Sequence, residues 1–342
     1  MTFNHFSRRQ FLWTMAASGV GAIALPSLRF SAVRAAALEV SMLIPGQIDD
    51  GGFMESGYDG LVNIEEQFQA QTQFIDGIPP EPEALASALR ELAMDEPSLL
   101  FAHGGQCSEA AELVAPEFPE SQFVVVQGFV TGENLSSYEV LQEQSAWLGG
   151  AAAGLLTQTQ TVGHISGIRV RPGLKGRAAF ADGLRYTNPD AEFLTIFCGD
   201  QDDAELAKTV ALAEIEAGAD IIFTMLNAGR VGAIEACREQ NAYQIGNVRD
   251  WYPDAPDVFI ASAIANVSMA SVLATEDYLA GELQGDHLRK VGLEVPEAVR
   301  LAMAPTVPAE VQAEIERLSE KITAGEIEVP EEYDGPEFEL PV

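Results

Sequence analysis

From residue 38 onward, short apolar runs alternate with longer segments whose apolar residues recur every three or four positions, separated by glycine or polar residues. The runs at 38–44, 72–75, 98–102 and 123–126 predict strands, and the segments 53–70, 83–94 and 109–115 predict helices. After 136–138 the cycle restarts with a small-residue helix over 144–156, strand 162–165, helix 178–186 and strand 193–197. Helix 204–217, strand 221–224, helix 232–239 and strand 244–246 complete this second run. Such α/β alternation predicts open parallel sheets covered on both faces, and two successive runs predict two lobes. The segment 259–262 and the helix after it predict a return to the first lobe, and 294–302 a further crossing. The lobes are then residues 38–140 plus 264–290, and 141–263 plus 291–342. No low-complexity linker separates them, and the acidic, proline-containing end after Glu326 reads as a surface tail.

In open α/β sheets, ligands sit beyond the carboxyl ends of strands, at loops leading into helices. Those loops here are rich in glycine, amides and aromatics and poor in the carboxylate–histidine pairings that catalysis needs. The candidate ligand contacts are Asp50, Phe53, His103, Gln106, Gln127, Asn227, Asp250 and Trp251. Asp50 has two readings, ligand contact or a cap for the N–H groups of the following helix. Phe53 and Trp251 offer planar surfaces for stacking, and the fold is expected to bring their two loops together. Gly104 and Gly105 let the backbone approach a ligand closely. A His103–Cys107 dyad lacks a third, orienting group. Arg169, Arg171 and Lys175 read either as a clamp for an anionic group or as solvated charge. The sequence contains no G-x-S-x-G, Walker, G-x-G-x-x-G or H-E-x-x-H motif. No catalytic residue, metal site or cofactor is therefore expected.

The beginning of the chain changes the picture of where it works. Ser7-Arg8-Arg9-Gln10-Phe11-Leu12 precedes an apolar run over 13–25 and Ala35-Ala36-Ala37, the order of an export signal with cleavage after about Ala37. The run is shorter than the about 20 residues a permanent membrane helix needs. The arginine pair resembles a twin-arginine signal, and no cysteine marks a lipid anchor at the cleavage site, so a free periplasmic protein is expected. Four of the 19 basic residues lie in this segment, so the mature chain would carry 15 against 52 acidic residues, a net of −37. That field excludes nucleic acid and anionic membrane surfaces as partners. Cys107, Cys198 and Cys237 are odd in number and widely spaced, which suggests core thiols and neither a disulfide framework nor a zinc knuckle.

Several stretches resemble the basic membrane protein, or PnrA-like, family of ABC transporter substrate-binding proteins. They include Ile48-Asp49-Asp50-Gly51-Gly52-Phe53, Gln144-Ser145-Ala146-Trp147-Leu148-Gly149-Gly150, Ala178-Ala179-Phe180-Ala181-Asp182-Gly183 and Gly218-Ala219-Asp220-Ile221-Ile222-Phe223. Their order and spacing extend over nearly all of the mature chain. The resemblance implies a type I periplasmic-binding-protein fold, two open parallel-sheet lobes joined by three crossings. It also implies a small-molecule ligand, by default a purine nucleoside or relative, and ABC permease and ATPase partners. Phe53 matches the family's base-stacking phenylalanine. Met54 stands where asparagine is usual, Gln127 replaces an acid, Val248 an aspartate and Ala265 a lysine, and Ile44 lies where the first strand usually ends in aspartate. Ribose recognition does not follow, because hydroxyls facing apolar residues lose their partners. The expected ligand is thus a planar, mostly neutral heterocycle. Two other classes share features with this reading: a ligand-sensing module of the same fold, and an exported enzyme loaded with a cofactor before export.

Overall fold

The computed structural model describes residues 38–340 apart from Gly51 and Gln284, so the export-signal segment lies outside the described residues. The first half of the chain runs β1 (Glu39–Ile44), α1 (Phe53–Phe68), β2 (Gln71–Asp76), α2 (Pro82–Ala93), β3 (Leu99–His103), α3 (Ser108–Val114), β4 (Gln122–Val126), β5 (Leu135–Val140). There follow α4 (Gln142–Leu156), β6 (Thr161–Ser166), α5 (Arg171–Thr187), β7 (Glu192–Phe197), α6 (Ala204–Glu216), β8 (Ile221–Met225), α7 (Arg230–Gln240) and β9 (Tyr243–Val248). The last elements are β10 (Phe259–Ala265), α8 (Ser268–Ala280), β11 (Leu288–Val291), β12 (Val299–Met303) and α9 (Ala309–Thr323).

The strands form two six-stranded sheets, ordered β11-β5-β4-β3-β1-β2 and β12-β10-β9-β8-β6-β7. The first sheet is parallel throughout, and the second is parallel except for the β10–β12 pair. Alternate side chains of one strand feed different cores: Met42 and Phe101 join the large core that α1 and α8 help close, whereas Leu43, Leu100 and Ala102 pack with α2 and α3. This two-sided burial is why these strands read as continuous apolar runs.

Helix α4 is buried almost all around, and its small residues explain how. A Cβ on Gly150 would lie 2.0 Å from the Phe180 carbonyl oxygen, and one on Gly183 2.0 Å from that of Trp147, so α4 and α5 touch backbone to backbone. The Trp147 indole N–H donates to Asp182 at 2.7 Å across the same seam. Helix α5 begins at Arg171, seven residues before the helix read from the sequence. Pro172 suits a first turn, and Gly176 is accommodated because Met225 fills the space a Cβ would take.

The chain passes between the sheets three times, after β5, after β10 and between β11 and β12. The passages are tied together: Leu141 N–H donates to Val291 O at 2.8 Å, and Asn266 N–H to Ala298 O at 2.7 Å. The second falls at 266–267 rather than near Ser262, because β10 stays paired with β12 as far as Ala265. The end after Glu326 is not the free surface tail its composition suggests. Ile327 and Val329 pack on one core and Phe338 and Leu340 on another, and Phe338 N–H donates to Thr195 O on β7 at 2.8 Å. Apolar residues spaced among the acids supply this adhesion.

Candidate functional site

Two cavities lie where the lobes face each other, and they share no wall residue. They differ in chemistry. The larger, about 650 Å³, has Phe53, Met54 and Phe129 on the first-lobe side and Ile168, Val170 and Pro172 on the second. Gln106, Gln127, Glu139, Glu143, Arg171 and Lys175 supply its polar edge. The smaller, about 480 Å³, is walled by Glu55, Asp59, Asp250, Glu297, Arg230, Arg249 and Arg300, with Asn227 and Trp251.

Phe53 opens α1, and the acid before it sets its position. Asp50 accepts from the backbone N–H of Gly52, Met54 and Glu55 at 2.8–3.1 Å, so it acts as the helix cap. The His103 ring lies 4.3 Å from the Phe53 ring, centroid to centroid, and its Nε2 sits 2.8 Å from the Phe53 carbonyl oxygen. Burial pushes His103 down to about 4, which keeps it neutral. The neutral ring can donate that N–H to the carbonyl, and so it backs the aromatic wall. Burial pushes Cys107 the other way, up to about 12, and its Sγ lies 3.7 Å from the His103 carbonyl oxygen. The two side chains thus lack the thiolate–imidazole relation a nucleophilic dyad needs.

Gln127 is spent on the fold as well. Its amide accepts from Val140 N–H at 2.6 Å and donates to Val140 O at 3.2 Å, stapling the β4 turn to the first passage. Gln106 is exposed at the chamber edge. Asn227 meets the first lobe, since a Cβ on Gly52 would fall 2.7 Å from its amide oxygen. Asp250 accepts from Tyr252 N–H at 3.1 Å.

Trp251 does not join Phe53. It lines the smaller cavity, with its indole N–H on Asn247 O at 2.7 Å and the guanidiniums of Arg249 and Arg230 at 3.7 and 4.3 Å from its ring. The expectation that the two aromatics meet is therefore corrected: Trp251 is held on its own lobe by Phe259, Asn247 and two arginines. Arg230, 2% exposed, pairs with no carboxylate among the described residues, and its Nη1 and Nη2 donate to Thr224, Leu226 and Asn247. Val248 holds φ at 71°, a left-handed conformation a β-branched residue seldom adopts. Ala265 is buried in β10 and lines neither cavity.

Sequence reasoning named Arg171 and Lys175 beside Phe53 but missed the glutamates that hold them. Lys175 Nζ lies 3.0 Å from Glu139, 2.6 Å from Glu143 and 3.2 Å from Glu331. Arg171 stands 3.7 and 3.5 Å from Glu139 and Glu331. Burial raises Glu143 against the pull of Lys175, while Lys175, despite burial, is raised by Glu143 and Glu139. The basic residues are thus neither an anion clamp nor loose surface charge. Arg169 and Arg177 likewise bind Glu337. Only the i, i+4 spacing of Glu139 and Glu143 hinted at the cluster, and Glu331 comes from far along the chain. Among the described residues no group of His, Cys, Asp and Glu could hold a metal ion, and no helix is long and apolar enough to cross a membrane.

Comparison with known proteins agrees with this architecture. The chain is 27% identical to the transcriptional activator protein Med of Bacillus subtilis, over 82% of this chain and 87% of that one. It is 27% identical to basic membrane protein A1 of Borrelia garinii subsp. bavariensis, over 85% and 88%. An ABC transporter solute-binding protein from Aeropyrum pernix superposes with a TM-score of 0.72 at 20% identity, covering 85% of this chain and 93% of that one. The two sheets and three passages are those of the type I periplasmic-binding-protein fold. A family model for PnrA-like ABC transporter substrate-binding proteins matches residues 37–333, and the chain belongs to that family.

Proposed function

We propose that this chain is the periplasmic solute-binding subunit of an ABC importer, that it captures a planar, purine-like heterocycle between its lobes, and that it delivers the solute to permease and ATPase subunits without catalysis. The observation that carries this reading is the chamber of about 650 Å³ whose wall includes Phe53, fixed by the Asp50 cap and the His103 ring. Its volume suits a small ligand, and the apolar faces of Phe53, Met54, Phe129, Ile168 and Val170 beside a polar edge suit a flat ring. Gln106 is the polar candidate at the edge, whereas Asp50, His103 and Gln127 position the wall. Asn227, Asp250 and Trp251 face the other cavity and would sense closure instead. The Arg8–Arg9 signal supports export.

Ribose is expected to add little, because Val248 and Ala265 stand where the family resemblance has an aspartate and a lysine and supply no hydroxyl partner. Mass spectrometry of small molecules released on denaturation should yield a heterocycle. Calorimetry on refolded, ligand-free protein should then show the free bases binding and the nucleosides binding more weakly. Submicromolar binding of a nucleoside, with its base much weaker, would sink the claim about ribose. The passages near 141, 266 and 292 serve as a hinge in this reading, so scattering should show compaction when the solute binds. The name of the Bacillus relative favours a second reading, a ligand sensor. Capture of the cognate permease by the solute-loaded protein separates the two.

A further inference from the structure

The polar edge of the Phe53 chamber is rich in acceptors. Three glutamates, Glu139, Glu143 and Glu331, surround one lysine and one arginine, which leaves one negative charge in excess. Glu139, Glu143 and Lys175 are each less than a tenth exposed, so bulk water does not screen them well. An ammonium has three N–H donors, and three carboxylates stand within 3.2 Å of Lys175 Nζ. It has none to spare for a ligand. Arg171, half-exposed, already shares Glu139 and Glu331. Each carboxylate, by contrast, offers about four acceptor positions. Glu139 and Glu143 both reach Lys175 through Oε1, which leaves Oε2 outside the ion pair. An anionic ligand would meet surplus negative charge and saturated cations. A ring carrying an amino, amidino or protonated nitrogen would meet carboxylate oxygens outside the ion pair while its plane lies against Phe53, Met54 and Phe129.

We infer that the solute of this cleft is a planar ring bearing an exocyclic N–H donor or a cationic nitrogen, received by Glu139 and Glu143. The inference rests on the reading of the chamber as the solute site. It assigns selectivity to residues at the first passage between the lobes, where Glu139 is next to last in β5 and Glu143 second in α4. Binding there joins the solute to both lobes at once.

The test is a thermal-shift screen of the refolded mature protein with three sets of rings, followed by calorimetric titration of the hits. The first set is adenine, 2-aminopyridine and benzamidine; the second, pyridine and caffeine, lacks a donor; the third, nicotinate and benzoate, is anionic. Hits should be confined to the first set, and Glu139→Gln or Glu143→Gln should weaken them at least tenfold. Equal binding by the second or third set, or unchanged affinity in both variants, would overturn the inference while leaving a planar-solute receptor intact. Failure of every ring to bind would overturn the planar-solute reading and this inference with it. If the variants do not fold, the ranking of the three sets on the unaltered protein decides the matter.

Discussion

Both interlobe cavities set an aromatic ring near charged side chains, and they differ in what those residues are free to do. Around Phe53 the aromatic ring forms part of an open wall and the buried carboxylates keep Oε2 outside the Lys175 ion pair. Around Trp251 the ring already carries two guanidiniums, and the buried arginine spends its donors on backbone and side-chain oxygens of its own lobe. An aromatic residue at a strand-end loop is therefore a poor indicator of binding by itself. What matters is whether its neighbours leave its surface and polar edge unoccupied.

Substitutions in the two cavities should separate binding from stability. The largest effect is expected from Arg230→Met, which strands buried acceptors on Thr224, Leu226 and Asn247. A cost of about 3–5 kcal/mol in urea unfolding is anticipated, since unpaired buried oxygens cost roughly 1–3 kcal/mol each. Affinity for the Phe53-chamber ligand should change little once the protein is folded; a large affinity loss would merge the two cavities into one site.

Acid should act next, through His103. Its folded-state pKa of about 4 lies below the ordinary 6.5, so its contribution is complete above pH 6.5 and is lost as pH falls toward 4. With about 1.4 kcal/mol per pH unit, the loss at pH 4 amounts to roughly 3 kcal/mol. Unfolding of His103→Gln should lack this component; an unchanged slope between pH 4 and 6.5 would show that other groups carry it.

Phe53→Ala should lower ligand affinity by about 1–3 kcal/mol, the worth of stacking a base on an aromatic side chain. Trp251→Ala, titrated with the same ligand, is the control, and equal losses would erase the contrast between the cavities. The smallest effect is expected at Val248. Val248→Asn relieves a left-handed valine and should raise the unfolding free energy by up to about 1 kcal/mol. A fall in stability would mean that packing of the valine outweighs the strain.

The alternation of strands and helices was legible because the central strands β1, β3 and β4 are buried on both faces, while helices such as α1 and α2 bury one. Helix α9 is left unassigned by the sequence reading, although Val311, Ile315, Leu318 and Ile322 recur at helical spacing. The start of α5 is hidden by Pro172, Gly173 and Gly176, which read as a loop until Met225 and Phe197 are seen packed against the glycines. Site residues were legible as positions and not as roles. Asp50, His103 and Gln127 do lie at strand ends, yet their polar atoms serve backbone groups. The Lys175 cluster was hidden for another reason. It gathers β5, α4, α5 and the C-terminal stretch, and no local pattern records such a meeting.

That C-terminal stretch sets an order of events in biosynthesis. Lys175 and Arg177 are both less than a tenth exposed, and they bind Glu331 and Glu337 respectively. A ribosome finishes α5 roughly 150 residues before it makes those glutamates, an interval of about 8–30 s at 5–20 residues per second. Until then Arg177 has no Glu337 to receive its guanidinium, and β7 has no Phe338 N–H for the Thr195 carbonyl. The second lobe can therefore be completed only once residues 331–338 have been made and have folded back onto α5 and β7.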